Sequence, residues 1–131
     1  MDTGQALDRR PVVVGVNGGK ESRAALAFAF AEADRLGTGV RVVRCTPRRY
    51  WARDTEGVRR LIDELSVRHP DVPVQSEELL GSPVRALVWH AGFGSVLVLG
   101  SHGSRIRSVA RAVLRRASCP VVVIGPHAAL D

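Results

Sequence analysis

The chain has 131 residues, 45% of them hydrophobic, and a formal net charge of +6 from 19 basic and 13 acidic side chains. That length and apolar share suit one domain that buries a core without metals or disulfides. No uninterrupted apolar run reaches the ~20 residues of a membrane span, and residues 1–10 lack the apolar middle of a signal peptide, so the reading is a cytoplasmic protein with no membrane contact.

Strand-like and helix-like segments alternate from Pro11 onward, leaving residues 1–10 as a disordered lead and 11–126 as the domain. Pro11 to Val16 is a valine run of the kind covered on both faces of a sheet. Lys20 to Leu36 follows as a helix, with Ala24, Ala27, Phe28, Ala31 and Leu36 at helical spacing and Gly37 as its stop. Val40 to Cys45 is a second strand. Asp54 to Arg68 is a second helix, with Val58, Leu61, Ile62 and Leu65 on one side and His69-Pro70 at its end.

Val72 to Leu79 alternates and turns polar at Glu77-Glu78, which places it near a sheet edge. Ser82 then serves as N-cap and Pro83 as first residue of a third helix, whose inner face carries Leu87 and Ala91. Ser95 to Leu99 is the fourth strand, Ser108 to Ala117 the fourth helix and Cys119 to Ile124 the last strand. The alternation predicts an α/β fold, a doubly wound parallel sheet with helices on both faces.

In such a sheet, ligands sit beyond the carboxyl ends of the strands, where the strand order reverses. Gly100-Ser101-His102-Gly103 joins an apolar strand to a helix, a setting in which backbone N–H groups converge on an anion. If the first and fourth strands are neighbours, Val16, Asn17, Gly18 and Gly19 face the same crevice. The glycines serve equally well as a plain strand-to-helix turn.

Other chemistry is thinly represented. The four histidines lack ligand spacing, and Cys45 and Cys119 read as buried thiols within strands, so no metal site is expected. No nucleophile elbow, P-loop or acid pair occurs, and no catalytic residue is predicted. Arg107, Arg111 and Arg115 lie four apart on one helix face and read as a solvated stripe. With 5% aromatic residues and no reading motif beside the charge, nucleic acid is disfavoured as a partner. Tyr50 and Trp51, after the second strand, suit either packing over the sheet end or contact with a ligand or partner.

Three segments together carry a resemblance: Val12-Val-Val-Gly-Val-Asn-Gly-Gly-Lys-Glu-Ser-Arg-Ala-Ala-Leu26, Val96-Leu-Val-Leu-Gly-Ser-His-Gly103, and Ser108-Val-Ala-Arg-Ala-Val-Leu-Arg-Arg-Ala-Ser-Cys-Pro-Val-Val-Val-Ile124. In order and spacing over residues 11–125 the chain resembles the universal stress proteins, a family with UspA-like domains. The resemblance implies a five-stranded parallel sheet in the order 3-2-1-4-5, frequent homodimers, and ATP bound in one branch without evident catalysis.

That branch carries an aspartate after the first strand and a phosphate loop of the form G-x2-G-x9-G-[S/T] after the fourth. Here the aspartate position is Asn17, which accepts a hydrogen bond without a carboxylate's charge. Gly100 and Gly103 match the loop, whereas Ser108-Val109 align with its close, which puts Arg107 in the glycine slot and leaves only Ser104, Arg105 and Ile106 between. So short a loop cannot wrap a triphosphate in the same way.

The resemblance thus implies a non-enzymatic stress-response or regulatory module that requires no cofactor and binds ATP weakly or not at all. The alternative is an adenine-nucleotide sensor at Val16 to Gly19, Val43, Gly100 to Gly103, Arg105, Arg107, Ser108 and Val109, with Arg105 and Arg107 replacing lost loop donors. Slow nucleotide hydrolysis ranks last, and a protein partner is possible. The bare edge strand Cys119 to Ile124 invites pairing, so a homodimer through it is expected.

Overall fold

The computed structural model describes residues 10–16, 20–46, 55–100 and 104–125. Five strands alternate with four helices: β1 (Val12–Val16), α1 (Lys20–Leu36), β2 (Val40–Thr46), α2 (Thr55–Arg68), β3 (Val74–Leu80), α3 (Pro83–Ala91), β4 (Val96–Gly100), α4 (Ser104–Arg116) and β5 (Val121–Ile124). The strands form one sheet in the order β3-β2-β1-β4-β5, with every pairing parallel. Among the described residues no helix is long and apolar enough to cross a membrane.

Valine at successive positions of β1 is explained by burial on both faces. Val12, Val13 and Val14 are fully enclosed, as are Leu97 and Val98 of the neighbouring β4. One cluster joins Val12, Val14, Val16, Val96 and Val98 to Ala25, Leu26, Ala29, Phe30 and Ala33 of α1 and to Val58 and Leu65 of α2. On the opposite face, Val13, Val43, Leu97 and Leu99 pack against Leu87 and Ala91 of α3 and Ala110 and Val113 of α4. Two helices therefore cover each face.

The inward side of α1 differs from the expected one. Ala25, Leu26, Ala29, Phe30 and Ala33 are sealed, whereas Phe28 and Leu36 stand 36% and 41% exposed. From Ala24 to Ala31 this helix is apolar on every side, so hydrophobic spacing does not select a face. Contact with β1 and β4 selects it. The stop at Gly37 holds: its φ of +72° suits glycine, and Thr38 N–H donates back to the Ala33 carbonyl at 2.9 Å.

Three strands begin directly after a proline. Pro11, Pro73 and Pro120 cannot donate to a ladder, yet their carbonyls accept from Ser95 N–H, Val40 N–H and Leu97 N–H at 2.9, 2.8 and 2.9 Å. The missing donors explain why β3 starts at Val74 rather than Val72, and β5 at Val121 rather than Cys119. Cys119 consequently lies outside the strand and is half-buried, not sealed in it; burial raises its thiol pKa. Cys45 belongs to β2.

The helix after β4 also starts earlier than expected, at Ser104 rather than Ser108. Ile106, Val109, Ala110, Val113 and Ala117 lie at i, i+3, i+4, i+7 and i+11 in the sequence, so the helical apolar period already runs before Ser108. For α3, Ser82 is the N-cap, its Oγ accepting from Arg85 N–H at 3.3 Å, and Pro83 is the first helical residue, as expected.

One buried polar group in this core was not anticipated. His90 of α3 is 3% exposed, with Nε2 3.9 Å from a Glu77 carboxylate oxygen of β3. Burial is the largest influence on its ring and holds the pKa below the usual histidine value; Glu77 opposes this and Arg41 of β2 adds to it.

Two consequences are measurable. A Cβ at Gly15 would stand 2.7 Å from Leu87 Cδ2 and 2.9 Å from Leu99 Cδ2, so Gly15→Ala is expected to destabilise the domain by about 1–3 kcal/mol. An unchanged urea midpoint would contradict that packing. For His90, the unfolded chain takes up a proton near pH 6.5 while the folded chain resists it until lower pH. Stability is therefore complete above about pH 6.5 and falls as pH drops from there through the folded pKa. Thermal melts of wild type and His90→Leu between neutral and mildly acid pH should show a steeper decline in the wild type.

Candidate functional site

The strand order reverses between β1 and β4: the chain runs from β1 outward through β2 to β3, then returns to β4 on β1's other side. Gly15 stands opposite Leu99 in the ladder, so both strands end one residue later at the same level, at Val16 and Gly100. Each is followed after three residues by a helix, α1 at Lys20 and α4 at Ser104. These two helices lie against opposite faces of the sheet, so their N-termini flank the crevice from both sides. Amide-rich helix starts placed in this way favour an anion.

The expected site residues divide into three groups. Val16, 7% exposed, ends β1 with its side chain in the α1 cluster, and Gly100 ends β4 as a buried residue paired in register with Ile124. Asn17, Gly18, Gly19, Ser101, His102 and Gly103 lie outside the described residues, as do Tyr50 and Trp51. Arg105, Arg107 and Ser108 belong to the first two turns of α4 and not to a loop.

Two apolar residues expected at the crevice are part of the packing. Val43 is 1% exposed and sits in the cluster beneath α3 with Leu87 and Ala91. Val109, half-buried, packs on the same cluster from α4. The structure brings together the ends of β1 and β4 and the start of α4, and encloses Val43 below them.

A charged residue near this end of the sheet escaped the sequence reading. Arg44 stands beside Val16 in the β1–β2 ladder and is 4% exposed, with Nη1 3.3 Å from a Glu78 carboxylate oxygen of β3. Its signal in the sequence is an arginine interrupting the apolar run Val40-Arg-Val-Val-Arg-Cys; only the register identifies Glu78 as its partner. Among the described residues no group of three His, Cys, Asp or Glu side chains is placed to hold a metal ion.

Comparison with known proteins agrees with this architecture. The model of the Universal stress protein family matches residues 8–125. A universal stress protein of Mycobacterium tuberculosis is 34% identical over 131 aligned residues, covering 86% of this chain and 44% of the relative. One from Mycolicibacterium smegmatis is 30% identical, covering 91% and 47%. The chain thus spans about half the length of the curated relatives it matches.

Among solved structures, the universal stress protein from Archaeoglobus fulgidus in complex with dAMP superposes with a TM-score of 0.61 at 27% identity, covering 87% of this chain and 96% of that one. A universal stress protein in complex with cAMP superposes with a TM-score of 0.73 at 21% identity, covering 90% and 98%. On the family match, the relatives and the strand order alike, the chain belongs to the universal stress protein family.

Proposed function

We propose that the chain is a non-enzymatic stress-response module whose crevice between β1 and β4 has lost the ability to hold ATP as the ATP-binding branch of its family does. The observation that carries this reading is the start of α4 at Ser104, with only three residues between it and Gly100. Residues that would belong to a phosphate-wrapping loop are committed to helical turns, so only the amides of the helix's first turn stay free, all at one point, and cannot follow a triphosphate along its length. The side chain of Asn17, uncharged where the branch has a carboxylate, weakens the nucleoside end as well.

A second reading is favoured by the relative crystallised with dAMP, which carries one phosphate. A single phosphate needs only a helix N-terminus and a few donors. Arg105 and Arg107 belong to the opening turns of α4, and a guanidinium group can donate two parallel hydrogen bonds to one phosphate. In this reading the crevice holds an adenosine monophosphate and excludes the triphosphate. A protein that only binds would release no phosphate from ATP above the buffer rate.

Isothermal titration separates these outcomes. Magnesium ATP is expected to bind more weakly than about 1 mM, less than about 4 kcal/mol of binding free energy. AMP in the submillimolar range, weakened at least about tenfold in Arg105→Ala/Arg107→Ala, would select the monophosphate reading. Micromolar ATP affinity would overturn the loss of the site.

We also infer that β5 pairs antiparallel with its counterpart across a two-fold axis. Its ladder runs to β4 on one side, its four residues are partly or well exposed, and Val123 is 39% exposed. A bare apolar edge is disfavoured unless paired. Light scattering should then report about 28 kDa, twice the 14.1 kDa of the chain, and Val123→Pro should return it to the monomer mass by removing an N–H that faces the open edge while leaving the ladder to β4 its donors. A single 14.1 kDa species across micromolar concentrations would remove the dimer.

A further inference from the structure

The two helical layers differ sharply in charge. On one face, α1 carries Lys20, Arg23 and Arg35 against Glu21, Glu32 and Asp34, while α2 carries Arg59, Arg60 and Arg68 against Glu56, Asp63 and Glu64. On the other face, α3 holds Arg85 and α4 five further arginines, and neither helix contains an acid. Between Glu78 and Asp131 the sequence has no carboxylate side chain. The whole formal excess of +6 thus resides in the α3–α4 layer.

That layer also exposes apolar side chains on α3, on α4 and at Phe93 just beyond α3. Trp89, Phe93 and Leu114 are 63%, 54% and 54% exposed. Trp89 and Phe93 meet edge to face at 5.0 Å between ring centroids. Because α3 leads into β4 and α4 into the parallel β5, the two helices run in the same direction on the sheet. Their ends adjoin where a Cβ on Gly92 would lie 4.0 Å from Ser118 Oγ. One turn back from that junction, Trp89 on α3 is level with Leu114 and Arg115 on α4.

We propose that this joined outer face of α3 and α4 is a docking surface for an acidic protein segment that carries apolar residues. Trp89 and Phe93 form its centre, and the exposed Arg85, Arg111 and Arg115 lie on the same outer side of the two helices. Aromatic residues and arginine around a desolvated apolar centre are the composition of protein interfaces, and an acid-free face suits a partner rich in carboxylates. Arginine grips a carboxylate with two parallel hydrogen bonds.

Two other polyanions fit less well. Trp89 and Phe93 are tilted at 63° to each other, so they do not offer the successive parallel platforms on which bases stack along a strand. The apolar side chains gather near the C-terminal part of the layer and do not form the continuous face with which a helix lies in a bilayer interface.

The inference deepens the reading of the chain as a non-enzymatic module, since it names what such a module engages. The surface and the nucleotide crevice are tested by different titrations, so either can fail alone. Fluorescence anisotropy at about 50 mM salt would use a fluorescein-labelled helical peptide of about 18 residues, glutamate throughout with leucine at i, i+3, i+4 and i+7. The expected result is saturable binding at least about tenfold tighter than that of an all-glutamate peptide of equal length.

Arg111→Gln/Arg115→Gln and, separately, Trp89→Ala/Phe93→Ala should each weaken it at least about tenfold, with circular dichroism unchanged. Arg59→Gln/Arg60→Gln, on the opposite layer, should leave it unaltered. Equal binding of the two peptides, indifference to the α3 and α4 substitutions, or tighter binding of an oligothymidylate or of phosphatidylglycerol vesicles would overturn the proposal.

Discussion

Burial of β1 and β4 on both faces is the constraint on which the rest of the structure depends. Val12, Val13, Val14, Leu97 and Val98 leave no side of the central strands compatible with water. A sheet of that kind must be covered twice, and parallel strands require crossovers long enough to supply the cover. The paired helices α1–α2 and α3–α4 follow from this requirement. So does the position of the crevice, because the crossovers leave β1 and β4 in opposite directions and open a gap between their carboxyl ends.

At the periphery the sheet gives way to polar chemistry under tight control. Prolines before β1, β3 and β5 contribute carbonyls to the inner strands while contributing no N–H of their own. On β2 and β3, Arg44 and Glu78 pair beneath one helical layer and Arg41 donates to Gln75 on the other side of the sheet. His90 closes over Glu77 from α3. Arg44 and His90 are buried while Glu78 and Glu77 reach toward solvent, and each of these pairs joins two elements.

Function and stability divide along the same axis. The crevice lies at one end of the sheet and uses backbone ends of strands and helices, where the shift of α4's start to Ser104 removes loop and adds helix. The α3–α4 surface lies on one side and uses side chains projecting away from the core. In the reading proposed above, the sheet is a rigid frame on which such a surface is displayed, and the charge balance of α1 and α2 leaves the basic excess on α3 and α4.

Much of this was legible in the amino-acid order. Consecutive valines identified a two-sided strand, Gly37 a helix stop, Ser82-Pro83 a helix start and Glu77-Glu78 an edge strand, because each feature is a local property of backbone or solvation. The resemblance over residues 11–125 supplied the strand order. Tertiary packing alone decided which side of the all-apolar α1 turns inward, where α4 begins, and that Val43 is enclosed under α3. It also paired Arg44 with Glu78 and sealed His90 against Glu77, since partners 34 and 13 residues apart in sequence meet only through strand register and helix docking.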